Sequence, residues 1–235
     1  HRESRGLGDV YKRQLYDQTL SRVETYFDKT ASKTWEQLTS DAPVSKIRQT
    51  VRIGRERMRN KLLSQLPNDL SEARILDAGC GTGQLTTELV KRGASVVATD
   101  ISNSLIQIAK NRIPKDYHRK INFHVGDLCN KDLGQFDYVI AMDSLIYYSL
   151  NDLSRILIGL KQRTTKEVIF TVAPRTKLLL VMWYLGKLAP KGDKSPVMVP
   201  HSLGKISENL FGIAKVKDLG RVSSGFYISH GISCI

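Results

Sequence analysis

The stretch Asp77-Ala78-Gly79-Cys80-Gly81-Thr82-Gly83 ends a short apolar run over 74–78 and opens an amphipathic segment over 84–92. Glycines at alternating positions let a backbone turn sharply from strand to helix. They also let a ligand approach with no Cβ in the way. A loop of this kind confines the chain to open α/β architectures, in which ligands bind at the C-terminal ends of parallel strands. The downstream pattern agrees. A strand over 95–99 precedes a helix capped near Ser102 or Asn103 and ending at about Ile113, before Pro114. Strands over 121–125 and 136–142, a helix over about 151–162 and a strand over 167–173 follow, and two closing strands are read at 216–222 and 226–232. The expected fold class is therefore α/β, a Rossmann-like, mostly parallel sheet of seven strands with helices on both faces.

Charge narrows the ligand. Dinucleotide folds use G-x-G-x-x-G and rest a pyrophosphate on the helix N-terminus. Here the spacing is Gly79, Gly81, Gly83, and Asp77 stands two residues before the first glycine. A carboxylate there repels a pyrophosphate and suits a cationic α-amino group, which S-adenosylmethionine carries without any phosphate. Asp100, seventeen residues after Gly83, ends the second strand, where a carboxylate can accept ribose hydroxyls, with Ile101 beside it. Asp127, in V-G-D-L, can accept from an adenine amino group while Leu128 packs on the ring; Met142 and Asp143 end the fourth strand beneath the donor. The expected donor site is thus Asp77, Ala78, Gly79, Cys80, Gly81, Gly83, Asp100, Ile101, Asp127, Leu128 and Met142. Taken singly, Asp100 also reads as a helix cap, Asp127 as a turn residue and Cys80 as a packing residue.

A chain of 235 residues has room for one domain with a small appendage. Cys80, Cys129 and Cys234 are odd in number and form no C-x-x-C pair, so they read as reduced thiols and not as a disulfide framework or a metal site. No protein-bound metal is expected. The net charge of +13 fits an acidic small molecule, an anionic membrane surface or a nucleic acid. The basic residues are scattered, apart from a concentration at 48–61, and no aromatic residues lie between them, so no nucleic-acid partner is expected. The longest apolar run, 178–185, has eight residues, too few to cross a bilayer. Residues 1–14 show no apolar period and resemble translated adapter read-through; they are set aside as non-native, and the uncharged ending 230–235 falls under the same suspicion. Residues 15–68 then form a helical arm and 69–235 the donor-binding domain. Within the arm, Val44, Ile47, Val51, Met58, Leu62 and Leu66 fall at helical spacing with Gly54 in the remaining slot, Asp41-Ala42-Pro43 as the start, and Arg48, Arg52, Arg55 and Arg59 on the other face.

Tyr26-Phe27-Asp28 with Trp35, the stretch 40–48, Val51-Arg52-Ile53-Gly54-Arg55, Met142-Asp143-Ser144-Leu145-Ile146-Tyr147-Tyr148, Thr171-Val172-Ala173-Pro174 and Gly225-Phe226-Tyr227-Ile228-Ser229 carry a resemblance. In these segments the chain resembles the magnesium-protoporphyrin IX O-methyltransferases of bacteriochlorophyll and chlorophyll synthesis, over about 23–229. The resemblance implies transfer of a methyl group to a propionate carboxylate of magnesium protoporphyrin IX, with magnesium present only inside the substrate. It implies an arm folded over the donor, which brings Tyr26 to the site, and an insertion over 176–201 that caps the porphyrin. Contact with magnesium chelatase and with the photosynthetic membrane from the cytoplasmic side follows in the same way.

A propionate is already ionised at neutral pH, so the reaction asks for alignment and exclusion of water, not for a strong base. Tyr26, Tyr147 and Asp143 are the expected catalytic residues; Arg48, Arg52, Tyr148, Arg175 and Trp183 are the expected acceptor contacts. The arginines read equally well as a solvated helix face, and the run around Trp183 as a core helix. Family members commonly read L-I-H-Y where this chain has Leu145-Ile146-Tyr147-Tyr148; Tyr147 cannot act as a base at neutral pH but can donate a hydrogen bond. The same residues leave open a methyltransferase for another small molecule or RNA, and a donor-binding module without catalysis.

Overall fold

A computed structural model describes residues 2–40, 42–175 and 196–235, without the side chains of 2–12 and 30. The expected cap and Trp183 fall largely outside the described residues.

The inner parallel strands bury both faces, because successive side chains point to opposite sides. In β1 (Arg74–Ala78) Ile75 joins one core and Leu76 the other; in β2 (Ser95–Asp100) Val96 and Val97 divide likewise, as do Val139 and Ile140 of β4 (Phe136–Ala141). That double burial makes these strands continuous apolar runs, the mark of a parallel sheet covered on both sides. With β3 (Ile121–Val125), β5 (Thr164–Pro174), β7 (Val216–Ser224) and β8 (Tyr227–Cys234), the order is β3-β2-β1-β4-β5-β8-β7. β1 to β5 run parallel, and β8 enters antiparallel between β5 and β7. The seven expected strands are all present. An eighth, β6 (Pro200–His201), adds two residues beside β5. The ending set under suspicion is an inner strand: Cys234 pairs with Val168 on one side and Val216 on the other.

Helices α4 (Gln84–Lys91) and α5 (Asn103–Arg112) cover the first core, and α6 (Leu150–Lys161) and α7 (Leu203–Asn209) cover the second. Ser102 caps α5 by accepting from the Leu105 N–H at 3.2 Å. The arm comprises α1 (Arg2–Thr25), a π-helical turn (Tyr26–Ala31), α2 (Ser32–Leu38) and α3 (Lys46–Leu63). α1 extends back through the segment set aside from the sequence. The cap of α3 is Ser45, whose Oγ accepts from the Arg48 N–H, so the helix starts beyond the expected Asp41-Ala42-Pro43. Met58 and Leu62 of α3 are fully buried in the sheet core. At roughly 2 kcal/mol for each such side chain, they bind this basic helix to β7 and β8. Gly54 makes the approach possible: a Cβ there would lie 2.5 Å from Tyr227 Cδ1. Among the described residues no helix is long and apolar enough to cross a membrane.

Candidate active site

The strand order reverses between β1 and β4, and a cleft of about 990 Å³, its open mouth included, lies at the strand ends there. The three loop glycines serve three different needs. Gly79 (φ 83°) lets Ser144 close in, since a Cβ would meet Ser144 Cβ at 2.3 Å; the Ser144 hydroxyl donates to the Ala78 carbonyl at 2.7 Å. Gly83 (φ 80°) turns the chain into α4 against Ile113. Gly81 (φ 55°) faces nothing within 4 Å of where its Cβ would stand, so it forms an open cradle on the cleft wall.

Two acidic groups line this cradle. Asp100 accepts from the Gly81 N–H at 2.9 Å on one oxygen and from the Ser102 N–H at 2.9 Å on the other. Burial pushes its pKa up to about 6 against these bonds. Each oxygen keeps a lone pair for a further donor. Asp77, 1% exposed, accepts from the Thr86 hydroxyl at 2.5 Å, and burial pushes it up to about 7. Burial likewise raises the Cys80 thiol, which stays neutral. Asp127 also lines the cleft, and both of its oxygens accept from the Tyr16 hydroxyl, at 3.0 and 2.9 Å. Tyr16 in turn stacks on Tyr148 with centroids 5.5 Å apart.

The arm covers the cleft, contributing Leu20, Val23, Phe27, Trp35, Thr39, Arg55 and Arg59 to its lining. Asp28 latches the π-helical turn to the start of α5: it accepts from the Ser102 hydroxyl at 2.5 Å and the Ser104 N–H at 3.1 Å, where a carboxylate also meets the positive helix end. Thr39, just past α2, accepts on its Oγ1 from Thr82 at 2.9 Å and Arg112 at 2.7 Å, while its carbonyl accepts from Gln84 at 2.9 Å.

At the end of β4, Asp143 adopts a positive φ of 57°. Its carboxylate accepts from Arg55 at 2.6 Å, from the Tyr227 hydroxyl at 3.0 and 3.1 Å, from Ser229 at 3.2 Å and from Thr171 at 3.1 Å. Arg55 lies over the Trp35 ring at 4.6 Å from its centroid. Asp143, expected as a catalytic residue, lines the cleft, and its carboxylate orients Arg55.

The remaining expectations divide. Gly79, Cys80, Ile101, Leu128, Met142, Tyr147 and Tyr148 line the cleft, and Ala78 is buried behind it. Tyr147 faces Phe27 edge-on at 6.3 Å; burial first, then Asp143 and Tyr26, hold its hydroxyl well above its ordinary pKa. Tyr26 packs edge-on against Phe27 at 5.1 Å, outside the cleft lining but close enough to act on the Tyr147 hydroxyl. Arg48 is exposed and does not line the cleft. Arg52 donates to the carbonyls of Leu38 at 3.1 Å, Gln37 at 3.0 Å and Ala42 at 2.9 Å, drawn by the unpaired carbonyls at the end of α2, and is not a cleft residue. Arg175 is exposed, its N–H donating to the His201 carbonyl at 3.1 Å. Tyr16, Asp28, Thr39 and Tyr227 went unread. The one available signal was their place in the arm and in the Gly225–Ser229 segment.

Comparison with known proteins points the same way. The profile described as magnesium-protoporphyrin IX methyltransferase C-terminus matches residues 141–235, and a methyltransferase-domain profile matches 75–166. The chain is 54% identical to a magnesium-protoporphyrin O-methyltransferase of Rhodobacter capsulatus, over 92% of this chain and 96% of the relative. It is 29% identical to the chloroplastic magnesium protoporphyrin IX methyltransferase of Arabidopsis thaliana, over 91% of this chain and 70% of that one. The crystal structure of magnesium protoporphyrin IX methyltransferase from Synechocystis PCC 6803 with bound SAH superposes with a TM-score of 0.77 at 25% identity, covering 90% of this chain and 97% of that one. The chain belongs to the magnesium-protoporphyrin O-methyltransferase family.

Proposed function

We propose that the protein transfers the methyl group of S-adenosylmethionine to one propionate carboxylate of magnesium protoporphyrin IX, giving the monomethyl ester. The observation that carries the reading is the cleft itself: an open glycine cradle at Gly81, bounded by Asp77, Asp100 and Asp127 and roofed by the aromatic arm. When bound, the donor supplies a methyl group made electrophilic by its sulfonium. Asp100 is suited to hold the ribose hydroxyls on its free lone pairs, and Asp127 to hold the adenine amino group, a bond it would share with or take over from Tyr16. Tyr147, protonated across the neutral range, donates a hydrogen bond to the acceptor carboxylate and orients it. Phe27, Trp35 and Met142 exclude water, which strengthens every polar contact inside.

The same reading extends to where the protein works. Phe226, at the tip of the β7–β8 hairpin, and Ile47, at the start of α3, are exposed next to basic Lys46 and Arg48. This edge suits peripheral contact with the cytoplasmic face of the photosynthetic membrane, and with the chelatase whose product is so apolar. Incubation with labelled donor and magnesium protoporphyrin IX, followed by mass analysis, should give the monomethyl ester. Donor binding without ester would overturn the acceptor assignment. Asp100→Ala should weaken donor binding more than acceptor binding; equal loss of both would make its role structural.

A further inference from the structure

The loop after β4 carries Tyr147 and is neither helix nor strand, so other elements must fix its shape. Toward its ends, the Ser144 hydroxyl donates to the Ala78 carbonyl, and Ser149 caps α6 by accepting from the Asp152 N–H at 3.2 Å. Between these anchors two donors reach the loop from the segment 199–201, which leads into α7. The Val199 N–H donates to the Ile146 carbonyl at 2.8 Å, and His201 Nε2 lies 3.0 Å from the Tyr148 carbonyl. A carbonyl only accepts, so Nε2 carries the proton. Pro200, between the two donors, has no N–H to give, and the second rung comes from the ring of its neighbour. The segment is itself held to the sheet. β6 pairs with the end of β5, Ala173 beside Pro200 and Pro174 beside His201, and the His201 carbonyl accepts from the Arg175 N–H at 3.1 Å. His201 is 5% exposed, and burial lowers its pKa, so the ring stands neutral at pH 7.

We propose that His201 is a positioning residue for the methyl transfer, holding the loop so that Tyr147 meets the acceptor carboxylate. The two bonded carbonyls, Ile146 and Tyr148, flank Tyr147, whose ring is thereby presented to the cleft from a backbone tied down on both sides. The inference rests on the acceptor reading made above, in which the Tyr147 hydroxyl orients that carboxylate. The rival is a core histidine that only packs. Positioning is favoured because the ring bonds, from outside the cleft, to the very loop that carries Tyr147 and Tyr148 into it. Alignment is what this reaction asks for, and a displacement of about 1 Å can cost about a hundredfold in rate.

Steady-state kinetics with S-adenosylmethionine and magnesium protoporphyrin IX, with calorimetric titration of S-adenosylhomocysteine, test this on the full chain. His201→Phe keeps the bulk of the ring without its donor, and His201→Gln keeps an N–H of similar reach. His201→Phe is expected to lower kcat/KM for the acceptor about tenfold while donor affinity stays within about twofold of the wild type. His201→Gln should recover most of the loss. In a Tyr147→Phe background, His201→Phe should change kcat/KM by less than about twofold, because its effect passes through Tyr147. Val199→Pro, which removes the other donor, should copy His201→Phe, and it carries the test if thermal unfolding shows that His201→Phe does not fold. Full kcat/KM in the folded variants overturns the proposal. So does a parallel loss of donor affinity, an undiminished effect without the Tyr147 hydroxyl, or a His201→Gln no more active than His201→Phe, since each marks packing alone. A wild type that binds donor and forms no ester removes the acceptor reading and this inference with it; ester formation with His201 indifferent removes only the inference.

Discussion

Arg55 donates to Asp143 at 2.6 Å across 88 residues of sequence, joining the arm to the end of β4. The pair is mostly buried, with side-chain exposures of 18% and 9%, and Tyr227 and Ser229 of β8 complete it. Arm, parallel sheet and antiparallel closing strand therefore meet at one carboxylate. Removing that carboxylate strands a cation and a hydroxyl. Asp143→Ala should lower the unfolding free energy by about 3 kcal/mol in urea denaturation. Asp143→Asn, which keeps an acceptor oxygen, should cost clearly less; equal losses would show that the charge alone matters and the retained acceptor does not.

Two glycine substitutions should act with opposite signs. Gly54→Ala places a Cβ 2.5 Å from Tyr227 Cδ1 and forces α3 off the sheet, at about 1–3 kcal/mol. Gly159→Ala, in the interior of α6 with nothing within 4 Å of its Cβ, should stabilise by about 0.8–1 kcal/mol through helix propensity. Thermal or urea unfolding of the two variants side by side checks the pair. A neutral Gly54→Ala would show that the arm's docking does not depend on that close approach.

Stability should respond to the buried carboxylates. Asp77 and Asp100 are raised to about 7 and about 6, so the folded state holds their protons more tightly than the unfolded chain does. Their contribution is full below about pH 4 and is lost as pH rises through 6 and then 7, at up to about 1.4 kcal/mol per pH unit for each group. Urea midpoints of the wild type and Asp77→Asn from pH 4.5 to 7.5 should diverge in this window, the variant changing less. Parallel curves would mean that Asp77 ionises freely in the folded protein. Donor binding near pH 6.5 should release protons, measurable as a calorimetric heat that depends on the buffer.

Tyr147 predicts a pH profile. Its hydroxyl stays protonated far above neutrality, so acceptor turnover should show no ionisation of this residue between pH 6 and 9. Tyr147→His should introduce one near 6.5. Tyr147→Phe should raise the acceptor KM while donor affinity stays constant; lost donor affinity would place Tyr147 in the packing of the donor site.

Where the reasoning from sequence met the structure, the outcome followed the range of the interactions. The strands, their crossover helices and the Ser102 cap were legible because alternation, turn residues and capping are local. The glycine loop and its acidic neighbours were legible because parallel strand ends converge by topology. The arm was not. Four arginines on one helical stripe look alike in sequence, yet Arg48 faces solvent, Arg52 serves the carbonyls ending α2, and Arg55 and Arg59 reach the cleft. Tyr16, to which the sequence assigns no role, donates its hydroxyl to Asp127.

The chain's own order of residues thus determined an α/β sheet with a glycine loop suited to a cationic, phosphate-free donor, since backbone conformation and charge spacing act over a few residues. Only tertiary structure decided which charges end up matched. Arg55 and Asp143 find each other because Gly54 lets α3 lie on Tyr227, while Asp77 and Arg59 line the same cleft with no ion pair to either among the described residues. Burial is a property of the folded whole: it gathered Arg55, Tyr227 and Ser229 around Asp143, and it raised the carboxylates of Asp77 and Asp100 beside the glycine loop.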